Sequence, residues 1–268
     1  MQNQAGRSMA DAGWVWEGQG LDPGVHPSIF GVGEGADFFS LRKVHFMFHD
    51  TTDLALTKLR DKEAVVCDVS KWRFRDCGEH GNGSESYCDG SLESVCAEAE
   101  KIGLLSQTYP NLRGGFYDDM KGLMQRHGHS PSSCAAVSNA LRKHNPGLTL
   151  ECVVYSHELD YAGFWEPLQE YIDVVSFWIW KYQDLADIER HVARCREVFP
   201  GKPISMGCYL RDYTLRAPVP MDAIRHQWTL LAEMLEDGRV AAFDILGAVL
   251  IDGHLEQACW VRNFIQDH

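Results

Sequence analysis

A single (β/α)8 barrel is the fold class that the sequence predicts, on three observations. Eight short runs of β-type residues alternate with longer segments whose apolar residues fall at helical spacing. Strands that alternate with helices form a parallel sheet, because each crossover returns the chain to the same edge. Eight such units in 268 residues match the size at which a parallel sheet closes on itself. A doubly wound open sheet is the alternative, because the first unit is weakly marked.

The elements follow in order. Residues 1–13, "MQNQAGRSMADAG", read as a disordered N-terminal extension to a single barrel domain over 1–268. "WVW" (Trp14 to Trp16) is the first strand. The segment after it is rich in Gly and Pro and offers at most one helical turn, near Gly35 to Leu41. "KVHFMF" (Lys43 to Phe48) and "AVVCDV" (Ala64 to Val69) are the next strands, with a helix over Asp53 to Arg60 between them. Helices over Ser91 to Thr108 and Ser130 to His144 flank "GGFYDD" (Gly114 to Asp119), and a segment of helical pattern follows that strand directly. "LECVVYS" (Leu150 to Ser156), "DVVSFWIW" (Asp173 to Trp180), "PISMGCYL" (Pro203 to Leu210) and "AAFDILGAVL" (Ala241 to Leu250) complete the eight strands. Helices over Asp184 to Phe199, Asp222 to Glu236 and His254 to Gln266 accompany them. Breaks at "HNPG", "FPGKP" and "EDG" stop the helices just before the next strand.

Composition narrows the function. The formal charge of −13 argues against nucleic acid, which needs clustered Lys and Arg. No apolar run reaches the roughly 18 to 20 residues that span a bilayer, and the N-terminus lacks the apolar core of a signal peptide. The expectation is a cytoplasmic protein with no membrane partner. Most of the nine cysteines, such as Cys67, Cys152, Cys208 and Cys259, sit in apolar runs where a thiol packs as a small hydrophobe. "DCGEHGNGSESYCDG" gathers Cys77, His80 and Cys88, but their spacing fits no common zinc pattern, and a bare flexible loop is expected there.

In a barrel of this type the functional groups lie where the strands end. The first strand ends in Trp16 and Glu17, the second in His49 and Asp50, the third in Asp68 and Trp72. The fourth contributes Asp118 and Asp119, and the fifth Tyr155, His157 and Glu158. Trp178, Trp180 and Lys181 close the sixth, Tyr209, Arg211 and Asp212 the seventh, and Asp252 and His254 the eighth.

Adjacent residues on a strand point to opposite faces, so one of Asp118 and Asp119 can face the mouth while the other faces or caps the following helix. The plainer alternative is that both serve only as helix caps. Glu158 ends the neighbouring strand. Strands lie about 4.8 Å apart, so its carboxyl is expected within about 10 Å of the Asp pair, the range used for glycosidic bond cleavage. Trp16, Trp72, Trp178, Trp180 and Tyr209 could form apolar walls around a sugar ring, with Glu17, His49, Asp68, Tyr155, His157 and Arg211 holding its hydroxyls. For Trp178 and Trp180 the alternative is ordinary core packing.

"GGFYDDM" and "VVYSHELD", set in the eight-unit pattern, resemble the TIM-barrel glycoside hydrolases, in which acidic residues at strand ends act on glycosidic bonds. The likeness spans most of the chain as architecture and is sharp only in these two segments. Two features depart from that group: no Asn-Glu pair ends the fourth strand, and there is no Asp-x-x-Asp-x-Asp-x-Glu run. The resemblance implies a hydrolase acting on a small or oligomeric carbohydrate. Asp118 or Asp119 would be the base or nucleophile and Glu158 the general acid, with no metal or cofactor. Two other functions use the same residues. His49, Asp50, Asp119, His157, Glu158 and His254 could hold a divalent metal in a sugar isomerase, epimerase or hydrolase. A non-catalytic carbohydrate-binding barrel is the third.

Overall fold

A computed structural model describes residues 8–17, 25, 28–70, 72–76 and 84–268, with 72–76 and 84–87 described by their backbone alone. Eight parallel strands close into a barrel: β1 (Gly13–Trp16), β2 (Lys43–Phe46), β3 (Ala64–Asp68), β6 (Leu112–Tyr117), β7 (Thr149–Tyr155), β8 (Val174–Trp178), β9 (Ile204–Tyr209) and β12 (Ala242–Leu246). Each expected strand is present, and the closed ring excludes the open sheet. Strand β9 is buried at every position, as expected where helices cover one face of a sheet and side chains fill the other.

Helices α2 (Val32–Phe38), α3 (Asp53–Lys58), α4 (Leu92–Leu105), α5 (Met120–His127), α6 (Pro131–Arg142), α8 (Ile188–Val198), α9 (Met221–Glu236) and α10 (Leu255–Asp267) surround the ring. Their starts follow local chemistry. Thr52 accepts the Ala55 N–H and Ser91 the Ser94 N–H, while Ser130 and Ser133 form a capping box around Pro131, the first residue of α6. Their inner faces follow the helical period: α8 buries Ile188, Val192, Cys195 and Val198, and α9 buries Trp228 against Phe243, ring centres 5.2 Å apart.

Four expectations need correction. Residues 8–13 are not part of a disordered extension: α1 (Met9–Ala12) is a helical turn with Met9 and Ala12 buried, packed on α10, and Gly13 already belongs to β1. Apolar burial, which no periodicity signals in so short a piece, holds it; residues 1–7 lie outside the described residues. The helix of the first unit, α2, has seven residues despite two interior glycines. A Cβ on Gly35 would stand 2.6 Å from the Ala248 Cβ, so the glycine that lowers helix propensity is what lets α2 approach the turn after β12.

The expected bare loop is in part a hairpin, β4 (Trp72–Asp76) antiparallel to β5 (Ser84–Cys88). Cys88 donates through Sγ to the Ser70 carbonyl at 2.6 Å, while Cys77, His80 and the Trp72 side chain lie outside the described residues. Finally, β12 ends at Leu246, giving way to a 3-10 turn at Ala248–Leu250. A second short antiparallel pair, β10 (Arg211–Asp212) with β11 (Ala217–Pro218), follows β9. Between β7 and β8 the chain makes a 3-10 turn at Ser156–Tyr161, helix α7 (Ala162–Trp165) and another 3-10 turn at Glu166–Tyr171. Cys67, Cys152 and Cys208 are buried free thiols, as their apolar runs imply, whereas Cys259 is half-buried. No helix among the described residues is long and apolar enough to cross a membrane.

Inside the ring, alternate residues of each strand fill the interior, and three of them bear titratable side chains. His45 Nε2 lies 2.9 Å from Glu151 Oε2, and His45 Nδ1 lies 3.7 Å from Asp244 Oδ1. Asp244 Oδ2 accepts the Ser176 hydroxyl at 2.8 Å, and Ser176 Oγ in turn accepts the Trp178 indole N–H at 2.9 Å. All five residues are buried. The hydrogen bonds from Trp178 through Ser176 to Asp244 link the barrel's centre to the aromatic layer beneath its mouth, while His45 Nδ1 and Asp244 Oδ1, 3.7 Å apart, make no hydrogen bond.

Candidate functional site

Strand β6 delivers the Asp pair, and backbone geometry separates them. Asp119 sits at the start of α5 in the left-handed region, φ 46° and ψ 35°, and its side chain caps no helix N–H. Instead Oδ1 accepts the Tyr155 hydroxyl at 2.8 Å. Asp118 Oδ1 accepts the Asp119 N–H at 3.0 Å. The helix-cap alternative therefore does not describe either carboxylate. Burial, then the charge of Asp119 and that of Asp68, hold the Asp118 carboxyl well above the usual carboxylate range. Asp119 is also raised by burial, against the Tyr155 hydroxyl, Arg126 and His157, which favour its charged form.

Glu158 is buried within the first turn after β7. Its Oε2 accepts the Tyr155 N–H at 3.1 Å, and its Oε1 lies 4.0 Å from the Lys121 ammonium. That ammonium stands 4.1 Å from the Tyr161 ring centre, a cation–π contact. Burial raises the Glu158 carboxyl, while the Tyr155 N–H and Lys121 oppose the rise. Asp119, Tyr155, His157, Glu158 and Trp180 line one cleft of ≈ 370 Å³, with Arg126 beside Asp119. Tyr155 stacks on His157, centres 5.5 Å apart and planes 13° apart, and meets Trp180 edge-on at 5.6 Å. Trp180 in turn stacks on Tyr213 at 5.8 Å. Trp180, Tyr155 and Tyr213 are half-buried and His157 is exposed, so this aromatic group borders open space.

Several expected site residues lie elsewhere. Trp16 and Trp178 are each 2% exposed and belong to the barrel core beneath the mouth. Trp16 packs between His45 and Phe116, and the Trp178 indole covers Gly207 so closely that a Cβ there would stand 2.1 Å from it. Tyr209 is buried against Trp178 and Trp180. Asp68 Oδ1 accepts the Ser70 N–H and hydroxyl, and the charge of Asp68 raises the Asp118 carboxyl. Arg211 is buried beside His254, whose pKa its charge and burial depress. Glu17 and His49 line a different cleft, between α2 and α3, and so does Asp50.

The metal alternative accordingly draws its ligands from separate places, and among the described residues no group of three or more His, Cys, Asp or Glu side chains could hold a metal ion. Lys121, Arg126 and Tyr213 are neighbours of the cleft that strand-end reasoning missed, since two of them sit on α5 and one follows β10. The His45, Glu151 and Asp244 network left a signal in the sequence: a charged residue on the inward register of an otherwise apolar strand.

The sequence matches no protein-family model and has no significant match among curated proteins. Solved structures do match its shape. The GH53 catalytic domain of Ignisphaera aggregans is 12% identical with a TM-score of 0.54, covering 90% of this chain and 86% of its own. An alpha-L-fucosidase of Bacteroides thetaiotaomicron, itself named as provisional, is 13% identical at TM-score 0.53, with 87% and 84% covered. The family GH18 chitinase catalytic domain of the fern Peteris ryukyuensis is 12% identical at TM-score 0.52, with 94% and 98% covered. At such identities the likeness is one of fold: this chain is a (β/α)8 barrel of the architecture that these glycoside hydrolases share.

Proposed function

We propose that the barrel hydrolyses glycosidic bonds, with Asp119 and Glu158 as the working carboxyl pair and Asp118 as the partner that tunes Asp119. One observation carries this reading: two carboxyls, both raised by burial, face one cleft at the C-terminal ends of β6 and β7. A carboxyl that burial shifts toward its protonated form is suited to act as a general acid. Glu158 gives its proton to the glycosidic oxygen as the bond to the anomeric carbon breaks. Asp119, oriented by the Tyr155 hydroxyl, either attacks that carbon or takes a proton from the water that does. Trp180 offers the apolar face of a sugar ring a stacking surface. The fold shared with chitinase, fucosidase and GH53 barrels supports the reading without selecting a sugar.

The test is a panel of chromogenic glycosides with Asp118→Asn, Asp119→Asn and Glu158→Gln. Turnover of any cleaved glycoside should fall about 10²- to 10⁴-fold in the Asp119 and Glu158 variants, as expected for loss of one acid or base. Undiminished turnover in both variants would refute the assignment. Binding of saccharides without cleavage would leave a carbohydrate-binding barrel.

A further inference from the structure

The cleft of Asp119 and Glu158 has a basic side that the hydrolysis described above does not use. Helix α5 forms it. Asp119, Gly122 and Arg126 are spaced at i, i+3 and i+7, so they follow one face of the helix, and all three line the cleft. Seven helical residues rise about 10 Å, which sets Arg126 that far from Asp119 along the axis. Between them Gly122 contributes no side chain, and a Cβ there would have nothing within 4 Å. The wall is thus open over about two turns, room for a sugar ring, with a carboxyl at one end and a guanidinium at the other.

That guanidinium is available to a ligand. Arg142, Arg190, Arg194, Arg225 and Arg239 each reach an acidic side chain, whereas Arg126, exposed on α5, reaches none among the described residues. Its charge still bears on Asp119. Lys181, exposed next to Trp180, also pairs with no acid among the described residues. Burial, then the charges of Lys121 and Lys181, hold the His157 pKa below its usual 6.5, so His157 is a neutral hydrogen-bond donor at pH 7. Three cations, Lys121, Arg126 and Lys181, therefore act on a cleft whose two carboxyls are Asp119 and Glu158, in a chain of formal charge −13. Such a local surplus draws an anion.

We infer that the substrate is an acidic sugar, a hexuronide. Its carboxylate sits on the Arg126 guanidinium, its ring lies over Gly122 against Trp180, and its anomeric carbon is at Asp119. The inference rests on the glycosidase reading for which end of the cleft holds the anomeric carbon. One unpaired guanidinium, with its parallel N–H groups, matches one planar carboxylate of single charge, and would leave a phosphate dianion half neutralised.

Paired chromogenic substrates test it: p-nitrophenyl α- and β-glucuronides and galacturonides against the matching glucosides and galactosides, with a 6-phosphoglucoside as the alternative anion. The best uronide should exceed its neutral partner in kcat/KM by about tenfold or more, the worth of hydrogen bonds to a charged group. That preference should shrink between about 0.05 and 0.5 M NaCl, because the guanidinium is exposed. Arg126→Gln should lower the uronide-to-hexoside ratio about tenfold, mainly through KM, and Arg126→Lys should lower it less. Titration calorimetry of glucuronate and galacturonate on Glu158→Gln reads the same contact without cleavage. Cleavage of neutral glycosides with no uronide preference, an unaltered ratio in Arg126→Gln, or a preference for the phosphate ester would each overturn this inference and leave the glycosidase reading in place. Uronate binding that Arg126→Gln abolishes, with no glycoside cleaved, would instead overturn the glycosidase reading and uphold Arg126 as the carboxylate-binding residue. Neither binding nor cleavage of any uronide would overturn the inference outright.

Discussion

Replacing Glu17 by Gln should make the protein more stable at alkaline pH. In the folded chain burial lifts the Glu17 carboxyl from 4.5 to about 8, with the Met47 N–H and the charge of Lys58 opposing. A carboxyl whose folded pKa lies above its unfolded value contributes stability that is complete below about pH 4.5 and is lost as pH rises through about 8. The difference, about 8 minus 4.5, is about 3.5 units; at about 1.4 kcal/mol per unit, the full loss is about 5 kcal/mol. The side chain keeps 12% exposure and borders an open cleft, so water screens part of this, and a gain of about 2 to 4 kcal/mol is expected. Gln has the same shape, still accepts the Met47 N–H and does not titrate. The measurement is urea unfolding of wild type and Glu17→Gln at half-unit steps from pH 5 to 9. The two stabilities should be similar at pH 5 and diverge steadily above pH 6, the variant ahead. Asp118, Asp119, Glu158 and Asp244, also raised by burial, are common to both proteins and cancel in the difference. A difference that stays flat with pH, or a variant that loses ground above pH 7, would show that Glu17 is not the titrating group described.

Gly207→Ala should destabilise by at least about 1 to 3 kcal/mol in urea unfolding and alter Trp fluorescence, because its Cβ would meet an indole that Ser176 holds in place; an unchanged midpoint would mean that Trp178 can move aside. His45→Leu should cost about 3 to 5 kcal/mol, as it strips Glu151 and Asp244 of their shared buried partner; stability equal to wild type would count against the network. Trp180→Ala should weaken saccharide binding by about tenfold while lowering stability little, since the ring is half-buried at the cleft; the reverse pattern, lost stability with unaltered binding, would return Trp180 to the core.

The barrel itself was legible in the sequence because its signals are local. Eight runs of β-type residues, the helical period between them and the Gly- and Pro-containing breaks each depend on neighbours a few positions apart. All eight strands stand where those runs lie, and Asp119, Tyr155, His157, Glu158 and Trp180, named as strand-end residues, meet in one cleft. Pairing across the ring has no such local signal. Whether Trp178 faces open cleft or core depended on Gly207, which lies opposite it on the next strand. Whether α2 formed depended on Ala248 receiving Gly35 from more than 200 residues away in the chain. The Asp pair was divided by a single left-handed residue, Asp119, which swung one carboxyl onto Tyr155 and left the other beside Asp68. Glu17 directly follows β1 and His49 lies three residues past the end of β2, and Glu17, the residue after inward-facing Trp16, points out of the ring toward α2 and α3. A strand's end sets the height of a residue in a barrel, but the pleat sets which side it faces, and only the closed ring decides what it meets there.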